Sequence, residues 1–364
     1  MKITFPHMGQ LAVMLKILLR RLDIPFVEPS EDTERMLEEG CRYAPEGVCL
    51  PMKLILGEFL DAAARGADTA IFFGGNGPCR FGYFGALFQT ILQERGYDMK
   101  VILLEAPEGD WGELLRRIDE ACGHKMLRLA AALIGGLWYL PRLDRWEEEL
   151  YDGMAAAAAR GDKLACKRIE RLREETQEAL EKAGRFRELG RLLKKGEEKL
   201  APFAGTKKDQ VRIGIVGDIY SVIDTRLNRG LQWELARRGI LTRRSMTLTG
   251  YLKDGLGLRS SWRRAARPYL KRRIGGFAWQ TVGWAAWMAR EKWDGILQVY
   301  PLNCMPEAVA ESILPAISEE YEIPVLRLVL DEHSGEAGYL TRTEAFADLL
   351  ERRREQRAGI LSGN

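Results

Sequence analysis

The stretch Thr69-Ala-Ile-Phe-Phe-Gly-Gly-Asn-Gly-Pro-Cys-Arg-Phe-Gly82 has the pattern of a strand that enters a glycine-rich loop and then a helix. Its first five residues form an apolar run, which predicts a buried strand. Helical spacing of apolar residues follows in Phe84–Arg95, and Lys100–Leu104 predicts the next strand. A strand, a helix and another strand in this order predict a parallel β-α-β unit.

The residues before this stretch extend the same alternation towards the N-terminus. Apolar patterning predicts strands at Lys2–Phe5 and Ile24–Val27 and helices at Leu11–Arg21 and Pro51–Ala64. Pro51 suits the first helical position because its missing N–H is not needed there. We therefore predict an N-terminal α/β domain over residues 1–110.

The middle of the chain has a different pattern. Between about Trp111 and Phe203, apolar residues recur at helical spacing, and no run is typical of a strand. Residues 163–199 are dense in Glu, Lys and Arg, which indicates a solvated face. We predict a helical insertion or linker over residues 111–205.

A second alternation of strands and helices follows the insertion. The predicted strands are Val211–Val216, Leu241–Leu248, Gly295–Val299 and Pro324–Leu330. Helical spacing occurs in Leu227–Arg238, Trp262–Arg290, Ala308–Glu319 and Glu344–Arg354. The predicted fold class is α/β, with two doubly wound parallel-sheet domains and a helical insertion between them. The second domain covers residues 206–340, and a closing helix covers 341–364.

Bulk composition limits the compartment and the class of partner. The chain has 364 residues, of which 46% are hydrophobic, so two domains can each bury a core. No stretch has the pattern of a signal peptide or the length of a membrane span, which predicts a cytoplasmic protein without a membrane partner. Six cysteines in such a chain favour thiols or metal ligands over a disulfide framework.

Three of these cysteines occupy similar predicted settings. Cys49-Leu-Pro51 and Cys304-Met-Pro306 each begin a helical stretch, and Cys79 lies in the glycine-rich loop. The positive end of a helix favours the thiolate, which is the form that binds soft metals. The loop glycines leave room for a bulky inorganic centre, and Arg80 can offset its negative charge. We predict an iron–sulfur site with these three thiols as ligands.

Other interpretations of the cysteines remain open. Each can be a small buried hydrophobe, as we expect for Cys122 and Cys166 in helical stretches. A zinc-stabilised interaction protein is a further alternative, although no C-x2-C pair is present. Whether Cys41 is the fourth ligand of the iron–sulfur site is left open. A non-redox α/β module that binds a nucleotide or phosphate through its glycine loops is the other alternative.

A basic segment with interleaved aromatic residues runs from Arg259 to Arg273. Such a segment can dock an acidic partner, CoA phosphates or nucleic acid. An amphipathic helix with Trp262 and Tyr269 in the core explains it equally simply, and we favour that interpretation. Nucleic acid is therefore disfavoured as a partner.

Five motifs spread over nearly the whole chain resemble the 2-hydroxyacyl-CoA dehydratase superfamily, in particular its activase-associated branch, often labelled CoA protein activase. They are Phe5-Pro-His-Met-Gly9, Val48-Cys-Leu-Pro-Met-Lys53, Gly77-Pro-Cys-Arg-Phe-Gly-Tyr83, Asn303-Cys-Met-Pro-Glu307 and Leu330-Asp-Glu-His-Ser-Gly-Glu-Ala337. The resemblance implies two Rossmann-like domains. It also implies that Cys49, Cys79 and Cys304 bind a [4Fe–4S] or double-cubane iron–sulfur cluster.

The resemblance further implies a separate ATP-dependent activase, itself an iron–sulfur ATPase, as electron donor. This chain has no Gly-x4-Gly-Lys-Ser/Thr loop, so it resembles the electron acceptor rather than the ATPase. A small molecule or acyl-CoA is the implied substrate, and a homodimer is left open. The candidate site residues that accompany the cysteines fall within or beside these motifs: His7, His333 and Glu336 as catalytic groups, and Gly77, Arg80 and Asn303 as cofactor-binding residues.

Overall fold

The computed structural model describes residues 1–74, 79–105, 109–205, 210–255, 260–272, 274–333 and 335–362; the side chains at 336 and 358–362 are outside the description. The chain divides into two compact units. The first unit comprises Met1–Leu143 and Glu178–Leu192, and the second comprises Asp144–Gln177 and Leu193–Asn364.

The first unit contains a parallel sheet of three strands in the order β1-β2-β3. The strands are β1 (Ile3–Thr4), β2 (Thr69–Phe73) and β3 (Lys100–Leu104). The predicted strand at 24–27 is reduced to one parallel bridge between Phe26 and Ile3, on the edge of β1 away from β2. The helices are α1 (Leu11–Arg21), α2 (Thr33–Tyr43), α3 (Leu50–Ala64) and α4 (Phe81–Glu94).

The second unit contains a parallel sheet of four strands in the order β5-β4-β6-β7. The strands are β4 (Arg212–Gly217), β5 (Leu241–Arg244), β6 (Gly295–Pro301) and β7 (Val325–Leu330). The helices of this part of the chain are α9 (Ile219–Ile223), α10 (Leu231–Arg237), α11 (Leu248–Gly255), α12 (Ser261–Ala266), α13 (Ala278–Arg290), α14 (Met305–Tyr321) and α15 (Glu336–Ser362).

Helices occupy the region between the two sheets in sequence, as predicted. They are α5 (Trp111–Ala121), α6 (Met126–Ala159), α7 (Lys163–Lys182) and α8 (Phe186–Leu200), followed by a 3-10 turn at Ala201–Phe203. The helical region divides between the units, with the boundary in α6 after Leu143. Among the described residues, no helix is both long and apolar enough to cross a bilayer.

The predicted fold class is confirmed: the protein is α/β, with two parallel sheets and a helical region between them. When the Phe26 bridge is counted, both sheets have their strands in the order second, first, third, fourth along the chain. Each sheet therefore reverses its winding between its first and third strands. The paired Cys-x-Pro motifs did not indicate this likeness, because the Cys49 motif begins the helix after the second strand position and the Cys304 motif begins the helix after the third strand.

Several element boundaries differ from the prediction, among them the closing helix, which begins at Glu336 instead of residue 341. Two of the differences have local reasons. The strand predicted over 241–248 ends at Arg244, since α11 already begins at Leu248. The helix predicted from Leu227 begins at Leu231, because Gly230 adopts a left-handed conformation (φ 67°) at its N-cap. Neither boundary disturbs the core: each unit packs a continuous apolar cluster, around Ile3 in the first and Ile296 in the second.

Candidate functional site

The carboxyl ends of the strands form the edge where open α/β sheets bind ligands, next to the point where the winding reverses. In the first unit this point lies between β1 and β2, and in the second between β4 and β6. Cys79 follows β2, and Cys304 follows β6. The two cysteines therefore hold equivalent places, after the third strand of each sheet and before the next helix.

Both Cys-x-Pro motifs begin helices, as predicted. Cys49 is the N-cap residue of α3, and Cys304 is the N-cap residue of α14. The prolines fall at the second helical position, where the N–H has no partner within the helix in any case. Both thiols thus lie at the positive end of a helix of at least 15 residues, which stabilises a thiolate.

Within the first unit, Arg80 connects the residues next to Cys79 with those that precede Cys49. Arg80, which follows Cys79 and is the N-cap residue of α4, donates a hydrogen bond from Nη1 to the carbonyl oxygen of Gly47 at 2.8 Å. Gly47 lies two residues before Cys49. The arginine therefore ties the start of α4 to the residues just before α3 and brings its charge to the same region.

The loop between β6 and α14 makes a tight turn before Cys304. Asn303 has a left-handed backbone (φ 63°), a conformation that asparagine tolerates better than most residues. The Cys304 N–H donates to the carbonyl oxygen of Pro301, the last residue of β6, at 3.1 Å. This turn takes the chain from the strand end directly into the helix.

The remaining predicted site residues are spread over both units. His7 follows β1, and its backbone N–H donates to Oε2 of the buried Glu58 at 3.2 Å. His333 follows β7 with an exposed side chain, and its N–H donates to Oδ1 of Asp331 at 2.9 Å. Glu336 is the first residue of α15, but its side chain lies outside the described part of the chain, as does Gly77 altogether.

All six cysteines lie in the described part of the chain and are present as thiols rather than disulfides. Cys122 is buried with a pKa that burial raises, and Cys166 is half-buried in α7. Cys41 is half-buried in α2. Among the described residues, no group of three or more His, Cys, Asp or Glu side chains stands close enough together to bind a metal ion.

A buried carboxyl group lies one helical turn beyond Cys304. Glu307 has no solvent exposure, and its side chain contacts two buried polar residues from neighbouring elements. Gln298 of β6 donates from Nε2 to Glu307 Oε2 at 3.0 Å. The Thr281 hydroxyl of α13 lies 2.9 Å from Glu307 Oε1 and 3.3 Å from the carbonyl oxygen of Gly217.

Hydrogen-bond counting indicates that Glu307 carries a proton. The Thr281 hydroxyl has one hydrogen and faces two acceptors if the carboxyl group is ionised. A proton on Glu307 satisfies both contacts, because the carboxyl donates to Thr281 while Thr281 donates to Gly217. Burial raises the pKa of Glu307 from 4.5 to about 8, although the hydrogen bonds with Gln298 and Thr281 act to lower it, and the nearby Asp218 carboxylate adds a smaller rise.

Asp218 follows β4 and caps the short helix α9. Its side chain accepts hydrogen bonds from the N–H groups of Tyr220 and Ser221 at 3.1 and 2.9 Å. Burial raises its pKa, while these bonds oppose the rise. Two buried carboxyl groups, Asp218 and Glu307, therefore lie by the carboxyl ends of β4 and β6.

Sequence patterns did not identify Glu307 as a site residue. Its position, third in the first turn of a helix, is one where glutamate commonly caps the helix and contacts water. The sequence feature that could have indicated a buried partner such as Glu307 is Gln298, a polar residue inside the apolar run Gly295-Ile-Leu-Gln-Val-Tyr-Pro301. A buried amide needs a polar partner.

The described part of the basic segment agrees only in part with the predicted amphipathic helix: α12 ends at Ala266, so Tyr269 lies beyond the helix, and its side chain is half-buried. Trp262 is buried, and Arg263 lies over the rings of Trp262 and Trp279 while it donates to the Asp254 carbonyl oxygen at 2.7 Å. Residues 256–259 and 273, which include Arg259 and Arg273, lie outside the described residues.

Fold and site together define a class: an α/β protein with two parallel sheets that carries thiols and buried carboxyl groups at the carboxyl ends of its strands. Comparison with protein-family models and with curated proteins finds no match for this chain.

Proposed function

We propose that this chain is an iron–sulfur redox protein that resembles a 2-hydroxyacyl-CoA dehydratase subunit. It accepts low-potential electrons from a separate ATP-dependent activase and passes them to a small substrate, with an acyl-CoA as the candidate implied by the resemblance. Cys49, Cys79 and Cys304 would hold a [4Fe–4S] or double-cubane cluster. When bound, such a cluster supplies one-electron transfer at low potential.

The observation that carries the proposal is the equivalent placement of Cys79 and Cys304 after the third strand of each sheet. This is the edge where open α/β sheets bind ligands. Cys49 and Cys304 are also helix N-caps, where the helix dipole favours the thiolate that iron requires. The donor set therefore fits an iron–sulfur cluster in its chemistry.

The other residues of these loops have positioning roles in the proposal. Arg80 holds the Cys79 loop against the Cys49 loop through Gly47, and its charge opposes the negative charge of thiolate ligands. Asn303 makes the turn that delivers Cys304 to the N-terminus of α14. His7 and His333 follow strands at the carboxyl edges and are the candidate proton donors to substrate.

Anaerobic purification with iron and sulfide analysis and EPR tests the proposal. We expect a brown protein with iron and inorganic sulfide in the wild type, and loss of both in Cys49→Ala, Cys79→Ala and Cys304→Ala. Cys166→Ala is the matched control, since this half-buried thiol lies in the middle helical region, and it should retain the cluster. A wild-type protein that stays colourless and iron-free after reconstitution would contradict the proposal.

The same preparation separates the alternatives. Stoichiometric zinc without sulfide would instead assign a zinc-stabilised interaction protein. Tight nucleotide binding without iron would assign the non-redox nucleotide-binding module. For the proposed electron acceptor, we expect that the bound cluster becomes reduced, as followed by EPR, only when both activase and ATP are present.

A further inference from the structure

The first half of α6 presents an exposed apolar face. Relative exposures are 89% for Leu127, 73% for Ile134, 54% for Leu137 and 76% for Trp138, and Ala131 between them is exposed as well. A folded domain rarely exposes so many large apolar side chains on one helix, and such patches mark interaction sites. We call this set of five residues the α6 face.

The spacing of the α6 face matches helix-on-helix packing. Intervals of four, three and four residues separate its members Leu127, Ala131, Ile134 and Trp138. This 3.5-residue period is the seam that one helix presents to another in a coiled coil. A second helix with the same period therefore fits the face.

We propose that the α6 face pairs with the same face of a second copy of this chain, with the two helices antiparallel about a two-fold axis. In that arrangement Leu127 meets Trp138, and Ala131 meets Ile134, so that a larger side chain faces a smaller one in each pair. A parallel pair would place Trp138 on Trp138 and leave Ala131 opposite Ala131, which packs less evenly.

The area available suits a dimer. The large side chains of the α6 face expose roughly 600 Å², at the lower end of the ~600–1,000 Å² that each partner contributes to a standard protein interface. Burial of the same patch on both copies satisfies the symmetry of an isologous interface. No additional protein is needed to cover it.

The charges around the face favour a second copy over a lipid surface. From Met126 to Trp138 the chain carries one charged side chain, Arg128, and it pairs with Asp23 at 3.0 Å. The helix therefore presents no cluster of basic residues beside the face. Helices that lie on anionic membranes instead carry an excess of basic residues on their polar side.

Light scattering coupled to size exclusion, with sedimentation equilibrium, tests the proposal on the full chain. We expect a dimer for the wild type and at least a ~30-fold weaker association for Ile134→Lys and for Trp138→Lys. Leu164→Lys is the matched control: this residue is exposed on α7, and its replacement should leave the dimer intact. Circular dichroism confirms that each variant is folded.

Charge reversal tests the antiparallel arrangement. Ala131→Glu and Ile134→Lys should each weaken association, and the double variant should recover much of it, because opposite charges then face each other across the two copies. A double variant as weak as either single variant overturns the antiparallel pairing.

Three further results would overturn the proposal itself. They are a wild type that is monomeric throughout the micromolar range, a dimer that persists in both lysine variants, and a monomer that sediments with mixed zwitterionic and anionic phospholipid vesicles. The last result would assign the face to a membrane surface.

Discussion

Replacement of Glu307 by glutamine should remove a pH-dependent loss of stability from the protein. The pKa of Glu307 is about 8 in the folded chain and 4.5 for an ordinary glutamate. Between these pH values the folded state holds a proton that the unfolded state releases. The contribution of protonated Glu307 to the free energy of unfolding is therefore complete below pH 4.5 and is lost as the pH rises towards 8.

The magnitude of this loss comes from the two pKa values. Each pH unit in this window lowers the free energy of unfolding by about 1.4 kcal/mol, so the full loss is on the order of 5 kcal/mol. Glutamine is neutral at every pH and of the same shape. Its amide N–H can donate to Thr281 while its oxygen accepts from Gln298, as the protonated acid does.

Urea unfolding of the wild type and Glu307→Gln at pH 6, 7 and 8 measures the effect. We expect the variant to gain about 2 to 3 kcal/mol relative to the wild type between pH 6 and 8. Glu319→Gln, at an exposed position of the same helix, is the control and should leave the pH profile unchanged. If wild type and Glu307→Gln have parallel profiles, Glu307 is ionised in the fold and does not donate to Thr281.

Two further substitutions test how the second unit is held together. Gly217→Ala should lower the free energy of unfolding by about 3 kcal/mol or more, since the new Cβ would lie 1.9 Å from the Val299 carbonyl oxygen at a φ of 142°. Gly335→Ala, with no heavy atom within 4 Å, is its control, and equal unfolding curves for the two variants would contradict a steric conflict at Gly217. Arg244→Met should cost about 3 to 5 kcal/mol in urea unfolding, because it removes the cation 2.7 Å from the largely buried Glu147 carboxylate. Addition of Glu147→Leu should restore much of this loss, and a double variant no more stable than the single one would argue against a charge-pair effect.

Local patterns were sufficient for the elements that carry the cysteines. The strand Thr69–Phe73 has the predicted bounds, and both Cys-x-Pro motifs begin helices. Such features depend on neighbours in sequence: apolar runs favour strands, and a proline near a helix start restricts where the helix can begin. The fold class followed from the alternation of these elements.

The sequence by itself determined the α/β class, the helical middle region and the placement of Cys49 and Cys304 at helix starts, because these depend on residues close together in the chain. Only the tertiary structure decided the strand order, the equivalence of Cys79 and Cys304, and the contact of Arg80 with Gly47. The burial of Glu307 between Thr281 and Gln298 was also a tertiary result. These features depend on pairing between residues far apart in sequence, on which local spacing carries no information.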